Sequence, residues 1–174
     1  MIFTEIKLVE DEVDRCKIVY DVITFLPGWF LPNEAKFYSE EAKDAIVFAA
    51  YLETTPIGFI AIKRKRSQVA EIIAMGVICG YQHLGMGKGL MEAALTYARN
   101  ENITLVEVKT ADYSDPDERY ITTRQFYEKN GFIALDTIDD YWDDGTPVLI
   151  MVKYLNSVVE LSTVIDEQAQ ISLA

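Results

Sequence analysis

Residues 74–90 read Ala-Met-Gly-Val-Ile-Cys-Gly-Tyr-Gln-His-Leu-Gly-Met-Gly-Lys-Gly-Leu. An apolar, strand-like run enters a short loop, and a glycine-punctuated turn then opens a helix. The pattern Gln82-x-x-Gly85-x-Gly87 points several backbone N–H groups at one spot, at the positive end of the new helix. That arrangement suits a phosphate or pyrophosphate. Glycine is needed there because a side chain would block close approach and because some positions want positive φ. The segment fixes a ligand class, and the rest of the chain must say what is done with that ligand.

The chain has 174 residues, half of them hydrophobic, which suggests one domain with a sizeable core. No apolar stretch approaches the roughly 20 residues needed to cross a bilayer. The N-terminal stretch carries Glu5, Glu10, Asp11 and Glu12 and no basic run, so no secretory signal is expected. Two cysteines, Cys16 and Cys79, make no disulfide framework and favour a reducing cytoplasm. The formal charge is −12, which opposes nucleic acid and anionic membrane and mildly favours cationic small molecules. The same field disfavours an anionic cofactor, so any phosphate must be held by local groups such as those at Gln82 to Lys88.

Periodicity divides the chain into eleven elements. Ile2–Leu8 alternates as a strand, and Val13, Ile18, Val19, Val22 and Ile23 form a helical stripe within 11–25. Pro27, Gly28 and Pro32 break it, and Asn33 is placed to cap a second helix through about Ala42. Strands follow at 46–52 and 57–62, with turns at 54–56 and at 63–68, and a long apolar strand at 69–79. Met86, Leu90, Ala94 and Ala98 mark an amphipathic helix ending near Asn100. A strand at 103–108, a polar loop at 112–117, a helix at 120–130 stopped by Gly131, and strands at 132–138 and 148–155 complete the order. The sequence β-α-α-β-β-β-α-β-α-β-β argues for one α/β or α+β layer structure.

The glycine loop by itself identifies little. Followed in order by Phe126-Tyr127-Glu128-Lys129-Asn130-Gly131-Phe132, it resembles the GNAT superfamily of N-acetyltransferases, over about residues 2–155. Leu26-Pro27-x-Trp29-Phe30, Thr123-Arg124-x-Phe126-Tyr127-Glu128 and Leu149-Ile150-Met151-Val152-Lys153 are similar to a bacterial subgroup of unknown acceptor. The resemblance implies a central mixed, mostly antiparallel sheet of six to seven strands. About four helices would flank it, and it would splay between the fourth and fifth strands. It also implies a domain over 1–155; residues 156–174, past the last recognisable strand, are expected to pack as an extension on the core or on a second subunit, which makes a homodimer one expectation.

The chemistry implied is direct acyl transfer from acetyl-CoA to an amine of a small molecule or peptide. By that similarity the strand ending at Met75-Gly76-Val77 splays and pairs with the pantetheine arm, and an amide near Val77 polarises the thioester. Such a donor is typically worth roughly 3–4 kcal/mol. The amides of His83, Leu84, Gly85, Met86, Gly87 and Lys88, with Gln82 ahead of them, hold the pyrophosphate, and Lys88 adds charge. Tyr127 acts as general acid toward the sulfur, since a phenol with a reference pKa of about 10 stays protonated at neutral pH. Glu71 is the candidate base, drawing the amine proton through water, and equally an outward-facing strand residue. Trp29 and Phe30 wall the acceptor site or anchor their loop on the core. The alternatives are a non-catalytic acyl-CoA sensor and a transferase using another acyl-CoA.

Other candidates are assigned blander roles. His83 is the only histidine, and its backbone matters more here than its ring. Cys79 is expected to be a small buried hydrophobe. No Cys/His spacing suggests a metal. Trp142, in the acidic 139–144 loop, either helps the acceptor site or anchors a turn. Lys63-Arg64-Lys65-Arg66 reads as a solvated turn, and Arg124 as a structural ion-pair partner.

Overall fold

The computed structural model describes residues 4–142 and 145–155. Its elements are β1 (Thr4–Leu8), α1 (Glu12–Thr24), α2 (Glu34–Glu41), β2 (Ile46–Leu52), β3 (Thr55–Arg66), β4 (Val69–Val77), α3 (Met86–Asn100), β5 (Leu105–Ala111), α4 (Glu118–Lys129), β6 (Ile133–Ile138) and β7 (Val148–Tyr154). Short 3₁₀ turns precede β2 and α3. Local chemistry sets several of the ends. The Asp11 carboxylate accepts from the Asp14 N–H at 3.0 Å and starts α1. Asp117 does the same for Arg119 at 2.9 Å and starts α4. Lys153 Nζ donates to the Asn130 carbonyl at 2.6 Å, where the negative end of α4 favours a cation.

The strands form one mixed sheet in the order β1-β2-β3-β4-β5-β7-β6, antiparallel throughout except for β4 beside β5. Two apolar clusters sandwich it. Ile18, Val19, Val22 and Ile23 of α1 pack on Val47, Phe59, Ala61 and Ala74 on one face. Leu90, Met91, Ala94 and Leu95 of α3, with Tyr127 of α4, pack on Ile60, Ile72, Val106, Val108 and Met151 on the other. The expected architecture is therefore present, including the opening between the fourth and fifth strands. Parallel pairing of β4 with β5 runs only from Val69–Leu105 to Ile72–Val108. One residue on, Ile73 is an extra residue opposite β3, between the Ala61–Ala74 and Ile62–Ile72 pairs. A bulge raises local twist and bends its strand. β4 therefore follows β3 while β5 stays with β7 as far as Ala111–Val148.

Three sequence expectations are corrected. Lys63–Arg66 is not a turn, because β3 runs through Arg66. Lys63, Arg64 and Lys65 pair with Glu41, Glu101 and Glu107, each more than twenty residues away, and Lys65 also meets Glu71 across the β3–β4 turn. Cys79 is exposed rather than buried, because β4 stops at Val77 and a 3₁₀ turn carries the thiol off the sheet. Asn33 precedes α2 but makes no side-chain cap, and Glu34 instead accepts from the Leu31 N–H at 2.6 Å. The 156–174 extension lies outside the described residues.

Candidate active site

The bulge and the end of pairing at Ile72 leave the last third of β4 facing an opening. Which of its backbone groups face that way follows from the ladder. The Ile78 N–H donates to the Ile57 carbonyl at 2.9 Å, flanking the Gly58–Val77 pair. That pair is thus a non-hydrogen-bonded one, and the Val77 N–H and C=O point away from β3, into the gap. A period of two turns the Met75 groups the same way. Gly58 keeps β3 close here, since a Cβ on it would lie 2.9 Å from the Gly76 carbonyl oxygen. The Gln82 side chain donates to the Val77 carbonyl at 3.0 Å and pins the following loop to the strand end.

That loop is a 3₁₀ turn over Cys79–Leu84, and it ends on Gly85 at φ +77°. Only glycine adopts this left-handed conformation without strain. Gly85 stands at the N-cap of α3 with no side-chain cap. The N–H groups of Met86, Gly87 and Lys88 therefore have no partner inside the helix. Nothing lies within 4 Å of the place a Gly85 Cβ would take. Lys88 is exposed and pairs with Glu92 at 3.6 Å, one helical turn on. The His83 side chain lies outside the described part of the structure.

The gap opens into a cleft of about 400 Å³, lined by residues of both helical layers. Leu26, Trp29 and Phe30 come from the loop after α1, and Met75, Gly76 and Val77 from β4. Gln82 and Gly87 come from the glycine loop, and Tyr127 with its neighbours from α4. Eight of the residues singled out in the sequence thus share one wall system. Glu71, Leu84, Gly85, Met86 and Lys88 do not line the cleft. The sequence reading missed Thr122, Gln125 and Lys129, which also line it. Their i, i+3, i+7 spacing, with Phe126 at i+4, is one face of α4 and was the available signal. A second hollow, about 50 Å³ among Ile46, Ile62 and Ile103, is too small for an organic ligand.

Tyr127 is 7% exposed, wedged edge-on between Phe126 and Phe132 with ring centroids 5.6 Å from each. Its hydroxyl has no hydrogen-bond partner among the described residues, which leaves it free to serve whatever enters the cleft. Burial, assisted by the nearby Tyr38, drives its pKa up and keeps it protonated. Tyr38 sits on α2 with its ring 5.8 Å from that of Phe30. Burial, with the charges of Glu34 and Glu71, pushes its pKa up to about 12. Sequence reasoning gave no sign of Tyr38.

Glu71 lies in a charged cluster on the α1/α2 face of the sheet, directly opposite Glu107 on β5. It is ion-paired to Lys109 and stands 3.4 Å from Lys65. Lys109 also bonds Glu107 at 3.2 Å, and Lys65 bonds it at 2.5 Å. Desolvation pulls the Lys109 ammonium down, but Glu71 and Glu107 outweigh it and leave the pKa raised. Arg119 ties the two walls of the cleft together, donating from α4 to the Gly28 carbonyl while Asp117 holds its guanidinium. Arg124 is 4% exposed and serves carbonyls rather than a carboxylate, donating to Ala111, Asp112 and Asp115 at 2.8–3.2 Å.

Residues 16–132 match the model of the Acetyltransferase (GNAT) family. The fold is similar to a putative GNAT-family acetyltransferase from Desulfovibrio desulfuricans (TM-score 0.74, 18% identity, 88% of this chain and 99% of that one). It is also similar to the ribosomal-protein-S18-alanine N-acetyltransferase of Escherichia coli (TM-score 0.71, 17% identity, 91% and 98%). A putative streptothricin acetyltransferase from Bacillus anthracis, solved with acetyl coenzyme A, covers less (TM-score 0.57, 23% identity, 65% and 64%). No curated protein matches the sequence. Among the described residues no group of His, Cys, Asp or Glu is arranged to hold a metal ion. No described helix is long and apolar enough to cross a membrane.

Proposed function

Because the chain belongs to the GNAT family of acetyltransferases, we propose that this acyltransferase moves an acetyl group from acetyl-CoA directly to a primary amine of a small molecule or peptide. Two relatives support the reading in their descriptions, one naming an N-acetylated protein alanine and one a complex with acetyl coenzyme A. The observation that carries it is the Tyr127 hydroxyl, unpartnered on a side chain that is 7% exposed and lines the same cleft as Met75 and Val77.

In this reading the pantetheine arm extends the sheet along β4, bonding the Met75 groups that β5 leaves unpaired, while the Val77 carbonyl stays with Gln82. The Val77 N–H faces the thioester oxygen, where one preorganised donor is worth roughly 3–4 kcal/mol as charge develops. The open N–H groups of Met86, Gly87 and Lys88 take the pyrophosphate, with Gly85 allowing the approach and Gln82, His83 and Leu84 shaping the turn. The amine nitrogen attacks the carbonyl carbon, a C–N bond forms, and the C–S bond breaks. Tyr127 gives its proton to the departing sulfur, and the amine proton leaves by water toward Glu71. Two lysines already claim the Glu71 oxygens, so its share of the rate is smaller than that of Tyr127. Trp29 and Phe30 wall the acceptor side.

Calorimetry with coenzyme A, followed by free-thiol release from acetyl-CoA across a panel of amines, tests the reading. Saturable binding together with amine-dependent thiol is expected. Saturable binding with no thiol release across a broad panel would leave a CoA-binding domain in place of an enzyme.

A further inference from the structure

Gly76 decides what stands beside β4 in the cleft. A Cβ there would lie 2.5 Å from Leu26 Cδ1 and 3.9 Å from a ring carbon of Phe30. Without one, both side chains of the loop after α1 lie close against the strand. Trp29, half-buried, lines the cleft beside them. Rings back this wall. Tyr38 meets Phe30 edge-on at 5.8 Å, and Phe37 meets Tyr38 at 5.1 Å. The loop is also held on both sides of Trp29 and Phe30. Arg119 donates to the Gly28 carbonyl, and the Leu31 N–H donates to Glu34 at 2.6 Å. The α1/α2 half of the cleft is thus a fixed apolar surface.

Charge is arranged to match. Among the described residues that line the cleft, Lys129 alone is charged, and none is a carboxylate. Carboxylates on neighbouring segments are engaged elsewhere, Glu34 by the Leu31 N–H, Asp117 by Arg119, and Glu71 by Lys109 and Lys65. Asp139 and Asp140 of the acidic loop do not line the cleft. A net charge of −12 draws cations toward the molecule. A second ammonium taken into this cleft would still lose water and meet no counter-ion.

We infer that the acceptor is an amine with an alkyl or aryl body next to its nitrogen and no second positive charge. This class rests on the acyl-transfer reading, which it narrows. The apolar body covers Leu26, Trp29 and Phe30, and the same loss of water shifts the ammonium toward the neutral, nucleophilic amine. Polyamines and aminoglycosides bring further ammonium groups that the lining leaves unpaired and that Lys129 repels. A free monoamine and a peptide with an apolar first residue present the same chemistry.

The test measures thiol release from acetyl-CoA with alkyl and aryl monoamines (phenethylamine among them), peptides beginning with phenylalanine or leucine, spermidine and kanamycin. The best apolar amine should exceed both polycations in kcat/KM by roughly tenfold or more, and whether it is a monoamine or a peptide names the source. A polycation that equals or exceeds every apolar amine would overturn the inference and leave acyl transfer standing. Thiol release with no amine at all, coenzyme A still binding, would remove the acyl-transfer reading and the inference with it. Trp29→Glu puts a carboxylate on the apolar wall and should swing the phenethylamine-to-spermidine ratio toward spermidine by roughly tenfold or more. An unchanged ratio in the folded variant would overturn the inference, and if the variant does not fold, the panel on the unaltered protein decides.

Discussion

The Tyr127 phenol has no hydrogen-bond partner among the described residues, and its side chain is 7% exposed. Replacing both it and its environment by apolar groups of the same shape is close to neutral, whereas leaving a polar group unmet is not. Tyr127→Phe is therefore expected to keep or slightly raise the melting temperature. Its turnover should fall by about 10²-fold, the low end for a general acid, because a thiolate is already an adequate leaving group. Coenzyme A affinity should hardly move. Single-turnover kinetics at saturating amine would measure this, and an unaltered chemical step would remove Tyr127 from the mechanism. The motif around Tyr127 was legible because FYEKNGF joins a helix to a strand through Gly131, whose φ is +81°. Tyr38 was not legible. It belongs to a helix with a weak apolar pattern, and only tertiary packing brings it beside Phe30 and within electrostatic reach of Tyr127.

At the scale of elements, the order of strands and helices could be read because each buries one face at its own period, 2 or 3.6 residues. What could not be read was where strands end. The bases of Lys63–Arg66 look like a solvated turn until Glu41, Glu101 and Glu107 are placed beside them by pairings more than twenty residues away. The unit built from β4, the 3₁₀ turn and α3 makes its own prediction. A Cβ at Gly85 would have no protein atom within 4 Å, although the left-handed conformation costs it roughly 1–2 kcal/mol. Gly85→Trp should therefore still unfold cooperatively while losing the heat of coenzyme A binding. Undiminished binding in a folded variant would remove the loop from the donor site. The gap itself was legible only through family resemblance, since no local signal in Ile72-Ile73-Ala74 announces a bulge.

For the molecule as a whole, the buried phenols set an alkaline limit. Tyr127 and Tyr38 hold their protons more tightly folded than unfolded, Tyr38 up to about 12, against a free value near 10. Raised folded values give stability that is complete below about pH 10 and is lost as pH climbs toward the folded values. Two such groups imply a loss of roughly 2 kcal/mol between about pH 10 and pH 11, and Lys109 shifts in the same direction. Urea titrations across that interval would show it, and a flat profile would mean that neither phenol is shielded from water. The parting of β4 from β5 has a last consequence. Because the cleft is lined from both helical layers, a change in either layer reshapes the same space.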